Sequence, residues 1–167
     1  MIKREKTIIL GFGNPDRSDD GVAWHVLAGI AKRFGQPFAY ESIEAGLVNL
    51  SKDTHLWFNL QLIPEVAEEL AGYQQAIFID AHTAEIKEEI KISPIEPEFQ
   101  NSPFTHHLTA ATCLSLSKTL YGKYPESILI SIRGYDFSFS HALSQKTMEL
   151  AEKVIEMIME RLNNQRF

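Results

Sequence analysis

The chain has almost no cysteine: Cys113 is the only one in 167 residues. That excludes an intrachain disulfide, a zinc site built on several thiolates and an iron–sulfur cluster. Long apolar runs are also missing. The charged start, Met1-Ile2-Lys3-Arg4-Glu5-Lys6, leads into an apolar stretch too short for a signal-peptide core or a membrane span, so a cytoplasmic protein is expected. Positive charge is in deficit, with 16 Lys and Arg against 22 Asp and Glu and a net charge of -6. Neither a nucleic acid nor an anionic membrane is expected as a partner. No internal repeat, low-complexity tract or linker interrupts the chain.

The remaining composition, 44% hydrophobic and 23% charged, is that of an ordinary globular domain. A single domain spanning residues 1–167 is expected. Apolar runs at 7–12, 76–81 and 127–132 read as buried strands, and residues 38–44 as a further strand closed by Gly46. Residues 47–54 read as a loop. Alternation over 56–62 predicts a short strand, and the charged segment 88–93 suits a sheet edge. Helical spacing appears over 21–34, from Pro64 to about Ala71, over 105–121, and over 144–162 with a stripe of Met148, Ala151, Ile155, Ile158, Met159 and Leu162. The three prolines between 94 and 103 predict a loop. Strands alternating with helices predict a three-layer α/β/α domain with a largely parallel sheet.

The densest chemistry lies in Gly11-Phe12-Gly13-Asn14-Pro15-Asp16-Arg17-Ser18-Asp19-Asp20-Gly21. A dinucleotide fingerprint would place its third glycine where Asp16 stands. Acids crowd the turn where a pyrophosphate needs bare N–H donors, which argues against a nucleotide. One of Asp19 and Asp20 is expected to cap the helix that follows; two in a row exceed what capping needs. Asp80 closes a strongly apolar strand, where a carboxylate must be solvated or paired. His106-His107 follows the proline-containing loop and would face the same sheet edge. Two carboxylates and an imidazole suit a divalent first-row metal. The remaining candidates read as structural. His25 is expected to be partly buried, His55 and His82 exposed, and His141 a cap of the last helix. Cys113 reads as a buried filler, and no serine stands in a nucleophile elbow.

Taken together, Gly11-Phe12-Gly13-Asn14 with Asp19-Asp20-Gly21, then Phe78-Ile79-Asp80-Ala81, then Thr105-His106-His107-Leu108 resemble the hydrogenase maturation proteases in order and spacing over nearly the whole chain. The resemblance implies a three-layer α/β/α fold. It implies an endopeptidase that removes the C-terminal extension of a nickel–iron hydrogenase large-subunit precursor once nickel is inserted. Its metal-contacting positions fall on Asp20, Asp80 and His106, with His107 one residue away. Nickel would be recognised in the client, with no tightly bound metal of the enzyme's own. Cleavage would proceed either by metal polarisation of the carbonyl or water, or with Asp20 or Asp80 as general base. A monomer is expected. A metal-dependent binding module or assembly chaperone on the same fold is the alternative. The chain departs from the family at Ala45-Gly46-Leu47, at Gly21-Val22-Ala23 and at Arg133-Gly134-Tyr135, which marks it as divergent.

Overall fold

A computed structural model describes residues 4–38, 47–99 and 107–164. Within them six strands form one sheet: β1 (Thr7–Phe12), β2 (Leu47–Asn49), β3 (Thr54–Asn59), β4 (Gln75–His82), β5 (Ile90–Ile95) and β6 (Glu126–Arg133). Among the described residues four helices accompany them: α1 (Val22–Arg33), α2 (Val66–Leu70), α3 (Ala110–Tyr121) and α4 (Gln145–Asn164). The strand order is β2-β3-β1-β4-β6-β5. The inner four strands are parallel, and β2 and β5 run antiparallel at the two edges.

The strand pattern dictates the layers. Successive side chains of a strand point to opposite faces, so a run buried on both faces needs a helical layer on each. Ile9, Phe58, Ile77, Ile79, Ile130 and Ile132 pack on one face with the apolar stripes of α1 and α4. Ile8, Leu10, Trp57, Ala76 and Phe78 pack on the other with Leu70 of α2 and with Cys113 and Leu114 of α3. This is the predicted α/β/α sandwich.

Several boundaries differ from expectation. Residues 47–49, read as loop, form edge strand β2, and Leu56, Trp57 and Phe58 are all buried rather than alternating. Strand β5 runs on through Pro94, whose missing N–H is tolerated at an edge. Helix α3 starts at Ala110, not near 105, because Thr109 caps it, accepting from Thr112 N at 3.1 Å. The pair His106-His107 therefore precedes the helix. On α4, Met148 is exposed, and Leu150 and Val154 join the buried stripe in its place. The strand expected at 38–44 lies almost entirely outside the described residues.

The connections fix where a site belongs. From β1 the chain passes through α1 to β3 on one side. From β4 it passes through β5 and α3 to β6 on the other. The adjacent strands β1 and β4 thus send their chains in opposite directions, and the carboxyl ends at such a switch point are where open α/β sheets place a ligand crevice.

Candidate active site

Both acids singled out in the sequence lie at that crevice. Asp20 is in the single 3-10 turn Ser18–Gly21 between β1 and α1. Asp80 lies near the end of β4, two residues short of its last residue, His82. The β1–β4 register pairs Gly11 with Ile79, so Asp80 stands beside Phe12 at the mouth of the β1 turn.

The β1 turn is folded tightly around Asp20. Gly13 has φ +137°, and a Cβ there would lie 2.2 Å from the Asp20 carbonyl oxygen. Only glycine fits both the conformation and the contact. A Cβ on Gly21 would lie 2.4 Å from Pro15 Cα, which explains that glycine too. The fold brings the Asp20 carboxylate back onto the turn, where Oδ2 accepts from Asn14 N at 2.9 Å.

The turn's other N–H groups are also taken. Asp16 N donates to Asn14 Oδ1, and Arg17 N to the Asn14 carbonyl. Ser18, Asp19 and Asp20 donate to the carbonyls of Ser140, Asp136 and Arg17. Pro15 has no N–H to give. A pyrophosphate would find no free backbone N–H among residues 14–20, so the turn lacks the bare main-chain donors of a nucleotide loop as well as the charge for one.

Asp19 has a different role from the capping expected of one of the pair. Neither acid's side chain caps α1, whose N-cap is Gly21 without a side-chain bond. Asp19 is fully buried, and five donors converge on its carboxylate. They are Tyr135 N at 2.7 Å, Asp136 N at 2.9 Å, Ser144 N at 2.8 Å, Ser144 Oγ at 2.7 Å and Thr147 Oγ1 at 2.8 Å. Burial alone would raise its pKa; the hydrogen bonds from Ser144, Tyr135 and Asp136 outweigh it and hold the group below its ordinary 3.8. The carboxylate clasps the β6–α4 loop to the β1 turn. Ser18 Oγ adds a bond to the Ala142 carbonyl at 2.7 Å, from a residue at φ +48°.

Asp80 is the perturbed group. It points to the same face of the sheet as Ala76 and Phe78, the face that α3 covers. Burial raises its pKa to about 7, the nearby Asp20 charge adds to the rise, and the bond from Ala81 N at 2.8 Å opposes it. A half-buried carboxyl poised near neutrality beside a second carboxylate is the arrangement that proton transfer or cation binding uses.

His106 lies outside the described residues. His107 is exposed, and its Nδ1 lies 3.0 Å from Gln61 Oε1. Among the described residues no three His, Cys, Asp or Glu side chains gather as a metal site. His107 as placed does not complete the Asp20–Asp80 pair.

The other histidines are structural, not all as expected. His82 is buried, not exposed. Its Nε2 donates to the Glu88 carbonyl at 2.7 Å, leaving Nδ1 to accept from Ser131 Oγ. His55 is half-buried, with Nδ1 2.6 Å from the Tyr73 hydroxyl. His141 pairs with Asp16 at 3.2 Å, and the capping role expected of it belongs to Ser144, whose Oγ accepts from Thr147 N at 3.3 Å. His25 is half-buried, as expected, and bonds to the His141 carbonyl. Cys113 is fully buried, and burial raises its thiol to about 11, so it cannot supply a thiolate near neutral pH. We expect Cys113→Ala to leave any hydrolytic activity within twofold of wild type; loss of activity with an unchanged unfolding midpoint would restore a thiol mechanism.

The signal for Asp19 was present in the sequence only as adjacency to Asp20. Its five donors come from residues 135–147, too far along the chain for spacing to reveal.

A three-layer α/β/α domain with two carboxylates near its topological switch point defines a class of small α/β proteins with an acidic sheet edge. Solved structures make the fold specific. A [NiFe] hydrogenase maturation protease HycI from Thermococcus kodakarensis matches with TM-score 0.63 at 22% identity, covering 97% of this chain and 95% of that one. The hydrogenase maturating endopeptidase HybD from E. coli matches with TM-score 0.67 at 16% identity, covering 96% and 93%. A hydrogenase 2 maturation peptidase from a Thaumarchaeota archaeon matches with TM-score 0.61 at 17% identity, covering 95% and 99%. The chain shares the fold of these maturation proteases over nearly its full length. No protein-family model and no curated protein matches it. No helix among the described residues is long and apolar enough to cross a membrane.

Proposed function

We propose that this protein is a hydrogenase maturation endopeptidase. It would cleave the C-terminal extension from a nickel–iron hydrogenase large-subunit precursor after nickel insertion. The observation that carries the reading is the Asp20–Asp80 pair at the β1–β4 crevice, in a fold shared with proteins described as such proteases.

The nickel enters as part of the substrate. Asp20 and Asp80, with His106 as third group, would contact the ion held by the client, and its charge would draw Asp80 into the ionised form. Asp20 is already oriented by Asn14 N, so little ordering is needed when the client docks. In the chemical step water attacks the scissile carbonyl. An Asp80 oxygen takes the water proton and returns a proton to the amine as the C–N bond breaks. The client's ion completes the site, which serves as a check that insertion has occurred.

The test is incubation with nickel-loaded precursor, read by mass spectrometry. We expect one shortened product from the wild type and at least a 100-fold slower reaction from Asp20→Ala, Asp80→Ala and His106→Ala, a loss of about 3 kcal/mol or more in the barrier. An intact precursor held in a stable complex by the wild type would favour the binding-module reading. Full activity in His106→Ala with a dead His107→Ala would move the third role by one residue.

A further inference from the structure

Arg133 closes β6 at the same carboxyl edge as the acidic pair. The β4–β6 register pairs Asp80 with Ser131 and His82 with Arg133. Arg133 therefore sits one strand across and two residues further on, so its Cα lies about 8 Å from that of Asp80. Both residues belong to the α3 face by alternation.

The guanidinium there is unusually placed. Its Cζ lies over the Tyr135 ring, 4.9 Å from the centroid, and Lys146 Nζ lies 4.7 Å from the same centroid. The Tyr135 hydroxyl donates to Glu89 Oε1 at 2.7 Å, and Lys146 pairs with Glu89 at 3.3 Å. Glu89 is thus engaged elsewhere. Arg133 Nε is buried without an acceptor, and none of the ion pairs among the described residues involves the guanidinium. In a chain of net charge -6, a half-buried arginine set over an aromatic ring with no carboxylate partner among the described residues requires an explanation.

We propose that Arg133 is a specificity-determining residue that receives a carboxylate of the client's C-terminal segment. The contact with the ring holds the guanidinium at the crevice edge, and its fork of N–H donors suits bidentate recognition of a planar anion. Lys146 on the same ring is offset by Glu89, so the guanidinium carries the positive charge left at this end. With Asp80 one strand across and two residues back, and Asp20 beyond it in the β1 turn, the cleft is polarised. Its acidic end accepts the cation-bearing part of the client, and its basic end accepts a carboxylate two to three extended residues from the scissile bond. That carboxylate is either an acidic side chain or the chain terminus. This inference rests on the protease reading for the client's identity, but anion recognition by Arg133 is testable without it.

The experiment uses four synthetic Gly/Ala hexapeptides, carrying one Glu or one Gln in the middle, each as free acid and as C-terminal amide. They are titrated into 15N-labelled full-length protein, following the Arg133 Nε–H and Tyr135 N–H resonances. Saturable shifts are expected with carboxylate-bearing peptides and none with the Gln amide. Arg133→Gln should weaken the binding at least 10-fold, and Arg133→Lys should recover only part of it. The Glu amide and the Gln free acid separate a side-chain carboxylate from a terminal one. Equal shifts with the Gln amide, or unchanged affinity in Arg133→Gln, would overturn the proposal. In the precursor assay Arg133→Gln should raise KM several-fold with kcat unchanged. A fall in kcat alone would assign the residue to folding or chemistry instead. If no precursor is cleaved by the wild type, the protease reading fails while the peptide titration still decides the role of Arg133.

Discussion

Asp19→Ala is expected to lose about 4 kcal/mol of folding stability, enough to lower Tm by roughly 8–16 °C in a domain of this size. The wild-type carboxylate is fully buried and accepts five hydrogen bonds. Alanine leaves the N–H groups of Tyr135, Asp136 and Ser144 without their acceptor. Each buried donor left unpaired costs about 1–3 kcal/mol, tempered by water that enters the space. Asp19→Asn should be nearly as damaging, because its NH2 would face donors instead of lone pairs. Denaturant unfolding gives the magnitude. Amide hydrogen exchange locates the effect, with protection lost first over residues 134–147. Asp20→Ala is the internal comparison, since its carboxylate holds only Asn14 N among the described residues, and its midpoint should shift far less. Equal midpoints for the wild type and Asp19→Ala would remove the clasp from the account.

The clasp also sets an acid limit. The Asp19 pKa lies below its ordinary 3.8, because hydrogen bonds to the ionised form outweigh burial. Its contribution is complete above the unfolded value and is lost as pH falls through the lower folded one. Loosening of the β6–α4 loop is therefore expected only below about pH 4.

Asp80→Asn should have the opposite effect on stability while removing function. Burial and the Asp20 charge raise the Asp80 carboxyl to about 7 from 3.8. The folded state therefore prefers the protonated form. Asp80's contribution is fully present below about pH 4, declines as the unfolded chain ionises, and is gone above about pH 7. At pH 8 the wild type carries an ionised, half-buried carboxylate that Asp80→Asn does not. The variant should be more stable there by roughly 2–4 kcal/mol, the lower figure allowing for water at the partly exposed group. Its amide oxygen can still accept from Ala81 N, as Asp80 Oδ1 does at 2.8 Å. At pH 3 to 4 the two proteins should converge. Paired urea titrations across pH 3.5 to 8.5 read the difference directly. Parallel curves would mean that Asp80 titrates as an ordinary surface carboxyl. A gain in stability joined to a loss of processing is what a functional group kept at a structural cost produces.

Much of this was legible in the residues themselves. The apolar runs of β1, β4 and β6 announce strands buried on both faces, and the stripe of α1 states which helix face is covered. Alternation then places Asp80 on the α3 face, and chain order places Asp20 at the mouth of the same crevice. Sequence reading fails where long-range pairing decides. Leu47-Val48-Asn49 is too short to signal a strand and becomes one only by pairing with β3. His82 looks like a loop histidine until Ser131 and the Glu88 carbonyl enclose it. Asp19 and Asp20 are indistinguishable as neighbours on the chain. The 3-10 turn sends one inward to the loop before α4 and leaves the other at the crevice, and neither destination is written in their spacing.

The central claim is that Asp20 and Asp80 converge with His106 on one divalent ion. The most direct measurement is anomalous diffraction from a crystal soaked in nickel or cadmium. The account predicts a single peak within coordination distance of a carboxylate oxygen of each aspartate and a nitrogen of His106, abolished in Asp20→Ala. A peak elsewhere on the molecule, or a filled lattice with nothing between the two carboxylates, would contradict it.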